Sequence, residues 1–254
     1  MSLATLQSPR YRIHHDFREE IMATRRRFLA ATGLFVAGAA LARADDLCAV
    51  STKETQAATT ADQALLRLKA GNERFRTGHS LHCDLMGQIK ATAQGQAPFA
   101  AVLGCMDSRV APELVFDQQV GDIFSVRVAG NIVNTDILGS LEYATKVAGT
   151  KLIVVLGHSD CGAIKGAVDD VKLGNLTEML ANIRPSVLKV AAAEGEHTSK
   201  NKKFVQSVAD QNARDAAALL TARSEVLAAL VQEHQLKIVY AMHDVSTGAI
   251  RWLA

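Results

Sequence analysis

The sequence is short of aromatic residues, of proline and of charge of one sign, and these shortages remove classes of function. Aromatic side chains make up 5% of the 254 residues and Trp252 is the single tryptophan, so no platform for stacking unpaired bases is evident. The formal net charge of +2 also argues against a basic nucleic-acid surface. That charge sits in one place: residues 1–44 carry seven Arg against three acidic residues, and the remainder is formally −2. The apolar run from Phe28 to Leu41 stops short of the roughly 20 residues that a membrane span needs. No Cys-x-x-Cys pair occurs among the four cysteines, which disfavours a thiol redox protein. Proline is scarce, at four residues, and no internal repeat is apparent. What is present is 48% hydrophobic and 21% charged, the balance of a soluble globular chain long enough to bury one good-sized core.

The basic start has an order of its own. Thr24-Arg25-Arg26-Arg27-Phe28-Leu29 leads into the apolar run, which ends at Ala42-Arg43-Ala44, a small-x-small cleavage pattern. Paired arginines before Phe-Leu resemble the twin-arginine signal of folded export. Residues 1–44 are therefore expected to be an export signal, with Met22 as an alternative start, giving a periplasmic protein without a permanent membrane anchor. Residues 45–96 read as a lead and an N-terminal helical arm, and residues 97–254 as the α/β core. From Asp45 to Thr60 the sequence is polar, Ala/Thr-rich and without clear period, as in a flexible lead. Thr60-Ala61-Asp62-Gln63 has the form of a capping box, and Leu65, Leu68 and Phe75 follow at spacings of one helix face. Cys48 and Cys83 lie in polar, irregular sequence, and both a disulfide and free thiols suit them.

Buried strands are expected at Phe99 to Gly104, Ile123 to Val128, Lys151 to Leu156 and Leu236 to Met242. Helical spacing from Ile137 to Val147, and one or two helices from Phe204 to Val231, alternate with them. The pattern is α/β: a mainly parallel four-stranded sheet flanked by helices. Ala249 to Leu253 follows the fourth strand closely enough to add an antiparallel fifth at the edge.

Cys105-Met106-Asp107-Ser108-Arg109 follows the first strand and His158-Ser159-Asp160-Cys161-Gly162 the third. Both emerge at the carboxyl ends of parallel strands, where open α/β sheets bind ligands. If these strands are neighbours, two thiolates and one imidazole converge, with a fourth tetrahedral position left for water or for Asp107, which is the pattern of catalytic zinc. Arg109 can hold the Asp107 carboxylate in a bidentate fork and keep it ionised.

These segments resemble the beta-class carbonic anhydrases, whose motifs are Cys-x-Asp-x-Arg and His-x-x-Cys. Gly71-Asn-Glu-Arg-Phe75, Gly121-Asp-Ile-Phe124, Arg127-Val-Ala-Gly-Asn131, Gly139-Ser-Leu-Glu-Tyr143 and Gly157-His-Ser-Asp-Cys-Gly162 resemble family segments in family order. The resemblance implies one Zn²⁺ per subunit on Cys105, His158 and Cys161, with Asp107 and Arg109 as the catalytic dyad. The implied reaction is attack of zinc-activated water on carbon dioxide to give bicarbonate and a proton. It also implies a homodimer or a dimer-based oligomer with swapped arms, giving Leu65, Leu68 and Phe75 a partner in the neighbouring subunit. Gln119, or Gln118 if the turn shifts, resembles a glutamine that approaches substrate across the interface, and Tyr143 a pocket tyrosine. Gly130 and Gly162 suit close approach of backbone to the site. A bicarbonate-inhibited subclass has Trp three residues before the first ligand, where this chain has Val102, so an open site with Asp107 paired to Arg109 is expected. For the proton, no sequence feature singles out a shuttle among His79, His82, His197, His234 and His243, and buffer can serve. Competing readings are a carbonyl sulfide or carbon disulfide hydrolase and a non-catalytic zinc-binding protein on the same scaffold.

Overall fold

A computed structural model describes residues 47–191 and 196–253. The expected export segment, 1–44, lies outside the described residues.

Strands β1 (Ala100–Gly104), β2 (Ile123–Arg127), β3 (Leu152–His158), β4 (Lys237–His243) and β5 (Ile250–Trp252) form one sheet in the order β2-β1-β3-β4-β5. The first four are parallel and β5 runs antiparallel to β4, as the sequence pattern predicts. β1 and β3 are buried along their whole length because both faces of the sheet are covered.

On one face Ala101, Leu103, Ile153, Val155 and Met242 pack with α5 (Thr135–Glu142), α6 (Gly162–Val168), α8 (Arg184–Ala191), α9 (Lys202–Arg223) and α10 (Glu225–Gln232). On the other, Val102, Leu152, Val154, Leu156 and Val239 pack with Ala64 and Leu68 of α2 (Ala61–Arg76) and with Phe116 after the short α4 (Pro112–Val115). The long Ala-rich stretch breaks into α9 and α10 at Ser224, which leaves helical φ/ψ and caps α10 by accepting from the Leu227 N–H.

α2 starts with the expected capping box: Thr60 Oγ1 accepts from the Gln63 N–H, and Gln63 Oε1 accepts from the Thr60 N–H. Its buried residues Ala64, Leu68 and Gly71 fall on one stripe. Within the chain this stripe packs on the chain's own sheet. Gly71 is required there, because a Cβ would lie 1.8 Å from the Phe116 carbonyl oxygen. Asn72 then donates to the Val115 and Gly248 carbonyls and accepts from the Ile250 N–H, tying α2 to the start of β5.

The lead also differs from expectation. Lys53–Ala58 forms a helix, α1, with a Thr52/Thr55 capping box. Gln56 Nε2 donates to the Pro98 carbonyl at 2.7 Å, and Lys53 Nζ to that of Ala148 at 3.0 Å. Cys48 and Cys83 are joined by a disulfide that closes the segment holding α1 and α2. These partners lie far along the chain, so no local period announces them. Among the described residues, no helix is long and apolar enough to cross a membrane.

Candidate metal centre

β1 connects to β2 on one side and lies against β3 on the other, so the chain switches direction across the sheet between β1 and β3. The two motifs meet at the carboxyl ends of those strands. Cys105 follows β1, His158 is the last residue of β3, and Cys161 caps α6; all three are buried. Their ligand atoms lie within 4.8 Å of one another.

The protonation pattern suits a metal. The His158 Nδ1 is 2.9 Å from the Ser159 carbonyl, which can only accept, so Nδ1 carries the proton and Nε2 the lone pair. That Nε2 is buried and has no hydrogen-bond partner. The two sulfurs lie close together: the neighbouring Cys161, against the opposing effect of burial, lowers the Cys105 thiol, and Cys105 together with burial raises Cys161. Two buried sulfurs this close ionise together only when a cation sits between them. Two thiolates and a tautomer-fixed imidazole fit Zn²⁺.

The carboxylate beside them is held apart from the sulfurs. Arg109 Nε donates to Asp107 Oδ1 at 3.0 Å and Nη2 to Oδ2 at 2.8 Å, a bidentate fork, and the Arg109 N–H adds a third bond to Oδ1. Those bonds hold the Asp107 carboxyl well below the usual carboxylate range, and Asp107 in turn raises Arg109. Asp107 Oδ2 lies 3.9 Å from the orphaned His158 Nε2. Arg109 is braced on its far side by the Asp160 carbonyl and carboxylate, and Asp160 is also bound by Lys165. Arg127 donates to the Cys105 carbonyl at 2.9 Å and to the Asp107 carbonyl at 2.7 Å, clamping the backbone of the first motif. This clamp is absent from the sequence reading, since a strand-end arginine carries no local sign of which carbonyls it will reach.

The pocket residues expected from resemblance are distributed differently. Among the described residues, no hydrogen bond joins Gln118, Gln119 or Tyr143 to the three ligand candidates. Gln118 is buried and its amide donates to the Phe116 and Asp117 carbonyls, closing its own turn. Gln119 is half-buried, with its N–H held by Asp122 Oδ2 at 2.9 Å. Tyr143 is 51% exposed and packs edge-on against Phe124, beside an open concavity that Arg127 also lines. Gly130 has φ +69°, and a Cβ would meet Ile183 Cδ1 at 2.6 Å, so close approach does require glycine there. At Gly162 a Cβ would meet nothing within 4 Å, so glycine is not sterically required. His243 is buried with both ring nitrogens unpartnered, and burial pulls it down to about 4, which removes it from the neutral-pH proton carriers.

Comparison with known proteins agrees with this chemistry. Residues 100–250 match the family model described as carbonic anhydrase. A carbonic anhydrase 2 of Mycobacterium tuberculosis is 37% identical over 187 residues, covering 71% of this chain and 87% of that protein. A Coccomyxa beta-carbonic anhydrase, solved with acetazolamide, is similar with a TM-score of 0.60 at 25% identity over 66% of this chain and 77% of that one. A tetrameric beta-carbonic anhydrase of Sordaria macrospora gives 0.58 at 27% identity over 73% and 91%.

Proposed function

This chain belongs to the beta-class carbonic anhydrases and hydrates carbon dioxide reversibly to bicarbonate and a proton, and on that premise we propose how its own residues divide the work. Cys105, His158 and Cys161 hold the zinc, and their sulfurs take no part as nucleophiles. Bound zinc supplies a Lewis acid that acidifies and orients water. With zinc held there, Asp107 would accept a hydrogen bond from water in the site and so orient it toward substrate. Arg109 holds the Asp107 carboxylate in its fork and keeps it ionised for that role. A carboxylate held so far below its usual range is a poor store for a proton at neutral pH, so Asp107 orients the water and the proton passes on to solvent or buffer.

The observation that carries this reading is the Asp107–Arg109 fork standing beside the unpartnered Nε2 of His158. It supports the open arrangement expected from Val102, which is itself buried against α2. Stopped-flow hydration by Asp107→Asn tests it: turnover falls while zinc content stays that of wild type. A structure at neutral pH with Asp107 on the metal refutes it.

The pocket roles belong to a homodimer. Among the described residues β2 is an edge strand with one side unpaired, and Leu114, Tyr143 and Val147 are exposed, which supports a subunit contact. The Sordaria macrospora relative is tetrameric. Gln119 is then the better candidate for approach to a neighbour's substrate, since the Gln118 amide is occupied in its own turn. Sedimentation velocity checks the contact: wild type sediments as a dimer or larger, and Val147→Asp shifts it toward monomer. Tyr143→Phe and Gln119→Ala then separate pocket from contact by raising KM without changing mass.

Export to the periplasm remains the reading of residues 1–44. The Cys48–Cys83 disulfide supports it, since such bonds persist in oxidising compartments. Cell fractionation of Arg25→Lys with Arg26→Lys tests it, with retention in the cytoplasm as the expected result.

A further inference from the structure

Helix α9 packs across the face of the sheet that carries Cys105, and most of its buried residues are apolar: Phe204, Val205, Val208, Ala209, Ala213, Ala216 and Leu220. Asn212 is the exception. It is 4% exposed in the middle of this stripe, where an asparagine is both a weak helix former and an expensive group to bury. Its side chain leaves the helix to meet the loop after β2: Nδ2 donates to the Gly130 carbonyl at 2.8 Å. The N–H of the same Gly130 points the other way and donates to Cys105 Sγ at 3.3 Å. Gly130 itself is buried with φ +69°, and Ile183 and Ala163 crowd the place its Cβ would take.

We propose that Asn212 is a positioning residue for the metal-binding sulfur, holding Gly130 so that its N–H donates to the Cys105 thiolate. Anchoring the carbonyl fixes the orientation of a residue whose missing side chain would otherwise leave it free to rotate. The Gly130 N–H, held in place, removes charge density from the Cys105 sulfur and helps to fix where its remaining lone pairs point. Partners of this kind, one bond beyond the ligands, set metal retention as well as geometry.

The inference rests on the reading of Cys105 as a ligand, and the experiment separates the two. Cobalt(II) is loaded into wild type, Asn212→Ala and Leu220→Ala, the last removing buried apolar contacts from the same helix without touching Gly130. Sulfur-to-cobalt charge-transfer absorption is recorded, and zinc release to a chromogenic chelator is timed. Asn212→Ala is expected to shift the charge-transfer band to lower energy and to release zinc about tenfold faster. Leu220→Ala is expected to keep both values. A band and a release rate in Asn212→Ala equal to those of wild type, or matched by Leu220→Ala, overturn the proposal. A wild type with no charge-transfer band overturns the ligand reading and the proposal together. If Asn212→Ala does not fold, cadmium-113-substituted wild type decides by NMR: scalar coupling from the metal to the Gly130 amide proton is expected, and its absence overturns the proposal.

Discussion

Removing the Cys48–Cys83 disulfide is expected to lower stability by about 4 kcal/mol while sparing the metal centre. The bridged cysteines are 35 residues apart. Closing a loop of that length removes roughly 13 cal/mol/K of entropy from the unfolded chain, about 4 kcal/mol at 25 °C. On the native side the segment is pinned independently. Gln56 holds the Pro98 carbonyl, Lys53 that of Ala148, and Lys151 Nζ those of Ala57 and Thr59. The folded arrangement therefore survives loss of the bridge, and the cost enters through the unfolded state. The assay is urea unfolding of the oxidised wild type against a Cys48→Ser/Cys83→Ser variant at one fixed protein concentration, because subunit assembly makes apparent stability concentration-dependent. With a urea slope of about 3 kcal/mol/M, the midpoint falls by about 1.3 M. An unchanged midpoint refutes the chain-entropy reasoning, and loss of zinc from the folded variant refutes the claim that the pins suffice.

Other outcomes follow from single contacts. Gly71→Ala places a Cβ 1.8 Å from the Phe116 carbonyl oxygen, so α2 must shift; a lower melting temperature with local exchange at Val115–Gln118 checks it. Leu68→Ala, at 0% exposure between α2 and the sheet, costs about 2–5 kcal/mol by denaturant unfolding. Burial works against the Asp215 carboxylate, but bonds from Lys189, Ser186 and Gln211 outweigh it and lower its pKa. A carboxyl lowered by folding stabilises above its unfolded pKa and loses that contribution as pH falls through the folded value. Asp215→Asn is therefore less stable than wild type at neutral pH and loses less stability on acidification below about pH 4.

The sheet was legible because its strands announce themselves twice, by Val/Leu/Ile runs and by helical spacing between them; Ala249 to Leu253 needed only a short turn to be read as antiparallel. The candidate ligands are legible for a different reason. Cys105 and the His158–Cys161 pair each end an apolar strand, and strand adjacency alone brings them together. Lys53–Ala58 is helical where the sequence pattern suggests a flexible lead, because α1 is short and its stability comes from Pro98, Ala148 and the disulfide, none of which is local. Asn212 is hard to single out inside an Ala-rich helix, although a polar residue at the centre of an apolar stripe is itself a signal. The region 162–191 between β3 and the long helix carries three short helices that no reading of local spacing assigned. Gln118 shows the limit of carrying a role over by position: its amide closes its own turn on the Phe116 and Asp117 carbonyls.

Stopped-flow hydration of carbon dioxide, run beside metal analysis on zinc-loaded wild type, Asp107→Asn and Cys105→Ser, tests the central claim most directly. The account predicts rapid hydration with one zinc per chain in wild type, impaired turnover with zinc retained in Asp107→Asn, and loss of both in Cys105→Ser. Full activity in Cys105→Ser would contradict it.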